Sequence, residues 1–194
     1  LGGLAISLAA QDTIKNLIAG FVIIFEKTYQ IGDWILTPSV EGTVEEITLR
    51  STRIRTFEDA LVTVPNSTLA NEYITNYSKR GKRRIKFHLK LDFETPPEKI
   101  RSCVNRIKDL LENDPDIHPE TIYVKFEEFG DSSFNVLLYF FTKTTVYDEF
   151  LTVKEKINLR ILEILDEENI KLAYPAQKLY VETDTTREQK RALE

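Results

Sequence analysis

The first 26 residues are apolar with one polar interruption, and this pattern predicts helix. A run of apolar and small residues, "LGGLAISLAA", covers 1–10, and a second apolar run, "LIAGFVIIF", covers 17–25. Between them lies "QDTIKN". Aspartate favours helix N-caps, because its carboxylate accepts bonds from the free N–H groups of the first turn. We therefore expect two helices, interrupted near Gln11 and Asp12, with Asp12 capping the second at Thr13.

The period of the pattern then changes to that of short β-strands. Runs rich in β-branched and aromatic residues cover 29–36, 41–49, 51–57 and 60–65, and Gly, Pro, Asp and Ser punctuate them. Turns at such close intervals predict a small all-β barrel. After Pro65, Asn66 or Ser67 is placed to cap a short helical turn.

The second half alternates strands and amphipathic helices. A basic run, "KRGKRRIK" at 79–86, reads as a linker or as the entrance to a strand, and the alternating run "IKFHLKLDF" follows at 85–93. A helix opened by Pro96 and Pro97, strands at 121–129 and 134–142, a helix at 147–168 and a strand near 178–183 come next. The order β-α-β-β-α-β is the ferredoxin-like plan. The predicted divisions are 1–27, 28–80, 81–183 and a tail at 184–194.

Composition limits the function classes. The formal net charge of −5 argues against a general nucleic-acid binder, which carries a basic excess. One cysteine, Cys103, excludes an internal disulfide framework and favours a reducing compartment. The chain contains no Met, even at position 1, so we expect further sequence upstream. Residues 1–10 supply about 15 Å of helix, half of a bilayer core. The opening run is therefore either a soluble core helix or a membrane helix cut in mid-span.

The search for catalytic chemistry is negative. The sequence has no glycine-rich phosphate loop, no GxSxG elbow and no HExxH motif. His88 and His118 have no second ligand at metal spacing, and Cys103 lies on the apolar face of its helix, which favours a core role. We predict no enzyme, no metal and no cofactor. The basic run raises a nucleic-acid hypothesis, but a solvated linker is the better interpretation.

One face of the opening helix has a spacing of residues that suggests a function. Leu4, Leu8, Gln11 and Lys15 fall at i, i+4, i+7 and i+11 and share a face of a straight helix. Small residues on the other faces would let copies of the helix approach closely in lipid. Such copies would place two leucine rings about 6 Å apart, and leucine rings close a pore by dewetting it. A single leucine face packed into a soluble core fits the spacing equally well.

Several motifs together resemble one family. "LGGLAISLAAQDTIKNLIAGFVIIFEKTYQIGDWI", "GTVEEITLRSTRIRT", "VPNSTLANEYITNYS", "FGDSS" and "YPAQ" occur in this order and cover almost the whole chain. Each alone is weak, but the combination is specific. The chain resembles the pore helix and the cytoplasmic domains of the small-conductance mechanosensitive channel (MscS) family.

The resemblance implies an α+β membrane-protein fragment: a pore-lining helix with a kinked continuation, a small Sm-like β-barrel domain and a ferredoxin-like αβ domain. It also implies site residues. The pore gate falls on Leu4 and Leu8, the pore-helix packing positions on Gly3, Ala5 and Ser7, the helix kink on Gln11 and Asp12, and the coupling of the pore helix to the β domain on Asn16 and Phe21. Many members have Gly where this chain has Asp12, which implies a stiffer kink. The apolar residues of the second helix are expected to dock on the β domain: Leu17, Ile18, Phe21, Val22 and Phe25.

The activity that the resemblance implies is a mechanosensitive channel opened by membrane tension, which releases ions and small osmolytes on hypo-osmotic shock. The expected partners are the lipid bilayer and further copies in a homoheptamer, with no nucleic acid. The parent protein is expected in the inner membrane, with residues from about 28 onward cytoplasmic. The alternative is a soluble Sm-like and ferredoxin-like oligomer that binds RNA or a protein partner.

Overall fold

The computed structural model describes residues 2–175, with the side chains of Gly2 and of residues 4–7 left out. The chain separates into two compact units, Leu1–Arg80 and Gly81–Glu194. The divisions predicted after residues 27, 80 and 183 stay predictions.

Unit 1 begins with one uninterrupted helix, α1 (Gly2–Glu26). The predicted break at Asp12 is therefore wrong. Neither Pro nor Gly occurs between residues 4 and 19, so nothing removes a backbone donor from the i to i−4 ladder. Asp12 lies inside the helix instead, where its carbonyl oxygen accepts a 2.9 Å bond from Asn16 Nδ2 and its carboxylate lies 3.8 Å from Lys15 Nζ. A bend at Gln11 and Asp12, as distinct from a break, stays a prediction.

Five short antiparallel strands follow α1: four match the predicted runs, and the fifth, at 75–76, was not predicted. They are β1 (Trp34–Leu36), β2 (Glu41–Ile47), β3 (Ser51–Arg55), β4 (Leu61–Pro65) and β5 (Thr75–Asn76), with the short helix α2 (Asn66–Asn71) before β5. Their order in the sheet is β4-β3-β2-β1-β5, so β4 and β5 are its edges. Alternate side chains enter a core that α1 reaches through Ile23; its other fully buried members include Tyr29, Ile35, Ile54 and Leu69.

Unit 2 has the predicted order of elements. They are β6 (Arg83–Leu91), α3 (Pro97–Asn113), β7 (Tyr123–Phe129), β8 (Phe134–Thr142) and α4 (Tyr147–Glu167). The strands form an antiparallel sheet in the order β6-β8-β7. The basic run thus contains the entrance to β6, one of its two predicted roles. The predicted strand at 178–183 lies outside the described residues.

After α4 the chain returns along the free edge of β6. Leu172 forms an antiparallel bridge with Leu91, and Ala173 N donates to Lys90 O at 2.9 Å. The fourth strand of a ferredoxin-like sheet occupies this edge, so the first part of the returning chain takes the expected position.

The two helices of unit 2 cover one face of its sheet. Pro97 opens α3 at its first turn, as predicted, and Cys103, Ile107 and Leu111 bury the apolar stripe of α3 against the sheet. Cys103 is therefore a core residue, and burial raises the pKa of its thiol to about 11, which keeps the thiol protonated at neutral pH. Arg106 of α3 forms ion pairs with Glu167 and Glu168 at the end of α4.

Candidate functional site

The candidate site is the junction of α1 with the rest of unit 1. Asn16 reaches from α1 to the first turn of α2, where its Oδ1 accepts a 2.9 Å bond from the backbone N–H of Ser67. The N-cap position of α2 is Pro65, and it provides no side-chain cap. The prediction that Asn66 or Ser67 caps this turn is wrong, because Asn16 satisfies the free N–H from 51 residues earlier in the chain.

One turn further along α1, Gly20 permits close approach to the loop between β2 and β3. A Cβ at this position would lie 2.3 Å from the carbonyl oxygen of Leu49 and 2.7 Å from Asn66 Nδ2. Such distances do not occur for real Cβ atoms, so any larger residue would push α1 away. Ala19 and Ile23 flank Gly20 on the same side and are both buried. Small residues therefore mark the docking face of α1.

A network of buried side-chain hydrogen bonds lies beneath this contact. Asn66 is fully buried; its Nδ2 donates to Thr48 O at 2.8 Å, and its Oδ1 accepts a 2.9 Å bond from Thr52 Oγ1. Thr52 Oγ1 in turn lies 3.1 Å from the hydroxyl of Tyr29, which follows the end of α1. Burial raises the pKa of Tyr29, so its hydroxyl stays protonated and remains available for this bond. Every member has a partner, as a buried polar network requires.

Lys79 forms hydrogen bonds with backbone carbonyl groups at the end of α1. Its Nζ donates to the carbonyl oxygens of Lys27 and Thr28 at 2.9 and 3.2 Å. Lys27 terminates the helix with a positive φ of 52°, and a cation beside the last carbonyls opposes the negative end of the helix dipole. Sequence reasoning missed Tyr29, Thr52, Asn66 and Lys79 as site residues. Only the position of Asn66 inside the "VPN" motif gave a signal.

Ile23 packs into the core of unit 1, but most of the other described large apolar side chains of α1 do not. All five that were expected there are exposed: Leu17, Ile18, Phe21, Val22 and Phe25. Within this chain the face of Ala19 and Gly20 makes the contact instead, and docking of the five on a β domain stays a prediction about other copies. Asn16 makes a direct contact with α2, whereas Phe21 is 61% exposed. A coupling role for Phe21 stays a prediction about contacts outside this chain.

The N-terminal half of α1 carries the predicted gate. Leu4 and Leu8 lie one helical turn apart in α1, and Leu8 is 64% exposed. Nothing lies within 4 Å of the position that a Cβ on Gly3 would occupy. The side chains of Leu4, Ala5 and Ser7 lie outside the described part of the chain. The gate, the packing positions and the bend at Gln11 and Asp12 stay predictions.

By length and composition, one helix among the described residues could cross a membrane. It is Leu8–Glu26, 19 residues long, and 22% of it is buried within the chain. The core helix of a soluble protein and a signal sequence near the N-terminus pass the same test, but a core helix is mostly buried. Most of Leu8–Glu26 is not buried within the chain.

Both units match families of known proteins. Residues 12–79 match the β domain of mechanosensitive ion channels, and residues 85–172 match the C-terminal domain of the mechanosensitive ion channel MscS. The chain is 47% identical over 181 residues to the uncharacterized MscS family protein YhdY of Bacillus subtilis, covering 93% of this chain and 49% of that protein. It is 42% identical over 187 residues to the small-conductance mechanosensitive channel MscMJ of Methanocaldococcus jannaschii, covering 95% and 52%.

A third relative is the low conductance mechanosensitive channel YnaI of Escherichia coli, 37% identical over 194 residues, covering 98% of this chain and 56% of that protein. The chain thus spans about half the length of these curated relatives.

Solved structures agree on the fold. MSL1 of Arabidopsis thaliana superposes with a TM-score of 0.82 at 24% identity, covering 90% of this chain and 63% of that one. MscS of Helicobacter pylori in its closed state gives a TM-score of 0.75 at 23% identity, covering 93% and 70%. On the family matches, with the fold in agreement, the chain belongs to the MscS family of mechanosensitive ion channels.

Proposed function

We propose that the full-length parent protein is an ion channel that membrane tension opens, and that it releases ions and small osmolytes on hypo-osmotic shock. In this proposal it assembles as a homoheptamer in the inner membrane, with residues from about 28 onward in the cytoplasm. The channel names of MscMJ and YnaI support the activity. The same names favour a channel over the alternative, a soluble oligomer that binds RNA or a protein.

The observation that carries the proposal is the combination of an apolar helix and a fixed attachment. Ile18, Phe21 and Phe25 leave the far side of α1 apolar and exposed, as expected of a helix that lipid or neighbouring subunits cover. Asn16, Gly20 and Ile23 hold the near side against unit 1. The helix therefore belongs to two environments at once.

This arrangement suggests how tension would act. Tension favours the state that occupies more membrane area, so lipid behaves as a ligand with higher affinity for the open state. Opening would tilt and separate the N-terminal halves of α1 in the assembly. Leu4 and Leu8 would then leave the pore axis, and water would fill the constriction. The bond between Asn16 and Ser67 would pass this movement to the β domain.

The direct test is a pressure-stepped patch-clamp recording of the full-length parent, expressed in membranes without other mechanosensitive channels. The proposal predicts stepwise currents that appear with suction and are absent from cells without the gene. A silent patch from protein shown to be in the membrane would contradict it. In that case the family fold would remain, and tension would not be the stimulus.

A further inference from the structure

The sheet of unit 2 has one face that its own helices do not cover. Along β8, Val136, Leu138 and Phe140 enter the core with α3 and α4. Successive side chains of a strand point to opposite faces, so Leu137, Tyr139 and Phe141 lie on the other face. No helix among residues 2–175 covers this side of β6, β8 and β7, and we name it the outer sheet face.

Strand register places a row of three side chains across its middle. Lys86 of β6 is paired with Tyr139 of β8, and Tyr139 is paired with Tyr123 of β7. The rings of Tyr123 and Tyr139 are 5.8 Å apart, and Phe141 follows at 5.5 Å from Tyr139. Tyr123 is 54% exposed. Three aromatic rings thus form a continuous strip that reaches solvent.

Cations line this strip. Arg84 is the register partner of Phe141, and its Cζ lies 5.9 Å from the centre of the Tyr139 ring. Lys82 Nζ lies 4.9 Å from the Phe141 ring and pairs with Glu120 at 3.4 Å. Within residues 2–175, Arg84 and Lys86 have no carboxylate within ion-pair distance. Lys125 of β7 has none there either, and it lies beside Leu137 on the same face.

The acidic groups of the outer sheet face lie further along the strands and have partners. Glu127 Oε2 lies 2.5 Å from His88 Nε2, and Glu128 accepts a 3.0 Å bond from Asn135 Nδ2. The half of the face around Tyr139 is therefore positively charged and aromatic at once.

We propose that the outer sheet face binds a nucleoside phosphate. The base would stack on Tyr123 and Tyr139, and the phosphates would pair with Arg84 and Lys86. Other sheets of the ferredoxin-like plan stack bases on aromatic side chains of their strands, and Arg and Lys favour phosphate. An aromatic ring and an anion in one ligand fit this surface better than either alone. The inference does not depend on the proposed channel activity, because binding is measured without tension.

The test is isothermal titration of the purified full-length protein with ATP, without added divalent cations. Adenosine and inorganic tripolyphosphate are titrated in parallel as the two halves of the ligand. The proposal predicts that ATP binds at least tenfold more tightly than either half. Equal affinity for tripolyphosphate would overturn it, because the surface would then be only electrostatic. Binding of single-stranded RNA without binding of ATP would overturn it as well.

Two variants assign the site. Stacking of a base on an aromatic ring contributes to affinity, so Tyr123→Ala is expected to weaken ATP binding by about tenfold. Lys86→Gln is expected to weaken ATP and tripolyphosphate together. The matched controls are Tyr73→Ala, at an exposed tyrosine of unit 1, and Lys108→Gln, at a half-exposed lysine of α3 that pairs with Glu112. Both test residues lie at the surface, so the fold should tolerate them. Unchanged ATP affinity in Tyr123→Ala would overturn the stacking role.

Discussion

The two units hold their helices in different ways. In unit 2, α3 buries a continuous apolar stripe that includes Ile100, Cys103 and Ile107. In unit 1, α1 turns most of its described large apolar side chains outward and attaches through Asn16, Gly20 and Ile23. A helix that is apolar around most of its circumference but little buried has its stabilising surroundings elsewhere. We therefore expect an assembly or a membrane to cover the first helix, whereas a core within the chain covers the second.

The largest effect is expected from the core of unit 2. Ile107→Ala removes a fully buried side chain of α3, and such truncations cost about 2–5 kcal/mol. Thermal unfolding of the full-length protein should show an earlier transition of unit 2. The control is Leu159→Ala on the exposed face of α4, which should change stability by no more than about 0.5 kcal/mol. Equal shifts in the two variants would contradict the assigned core.

Gly20→Ala tests the close approach of α1 to the loop between β2 and β3. In an ordinary helix this change stabilises by up to about 1 kcal/mol. Here the new Cβ would meet Leu49 O, so we expect a net loss of about 1–3 kcal/mol. Gly81→Ala is the control, because open space surrounds its Cβ position. A stabilised Gly20→Ala protein would show that the small-residue face is not the docking face.

Asn66→Ala tests the network of buried hydrogen bonds beneath α1. It leaves Thr48 O and Thr52 Oγ1 without their buried partner, which should cost about 1–3 kcal/mol. Asn71→Ala on the same short helix is the matched control, because Asn71 is exposed and bonds only Ser67 O. Chemical denaturation of both variants measures the difference. If the two lose equal stability, the network does not fasten the junction.

The smallest effect concerns the ion pairs that Arg106 of α3 forms with Glu167 and Glu168 at the end of α4. Hydrogen bonds from Arg106, and then from Ser102, lower the pKa of Glu168 below its ordinary value of 4.5. A depressed pKa stabilises the fold above the ordinary value, and this contribution is lost as pH falls through the folded-state pKa. Glu168→Gln should therefore have a lower midpoint of thermal unfolding than the wild type at pH 7, and the gap should close towards pH 3. Glu163→Gln, in an exposed pair with Arg160, is the control. A gap that stays constant with pH would contradict this account.

Sequence alone predicted the elements of unit 2 well, because their apolar positions follow one clear period. The predicted and observed bounds of β8 are the same, 134–142, and those of α4 differ by one residue. Pattern reasoning failed on α1 for a physical reason. Its apolar residues surround the helix, so periodicity does not select a face, and the docking side is marked by Gly20 instead. The resemblance to the family pointed to Asn16, but its partner Ser67 follows from the fold and from no local signal.

The central claim is that α1 carries a hydrophobic gate on the face of Leu8. The most direct measurement compares the suction threshold of Leu8→Ser with that of Ile14→Ser in patch-clamp recordings of the full-length channel. Both side chains are exposed on α1, at 64% and 51%, but they lie on different faces. A hydroxyl in the ring makes it wettable, so the account predicts a lower threshold for Leu8→Ser and little change for Ile14→Ser. An unchanged threshold in Leu8→Ser, or the same shift in both variants, would contradict it.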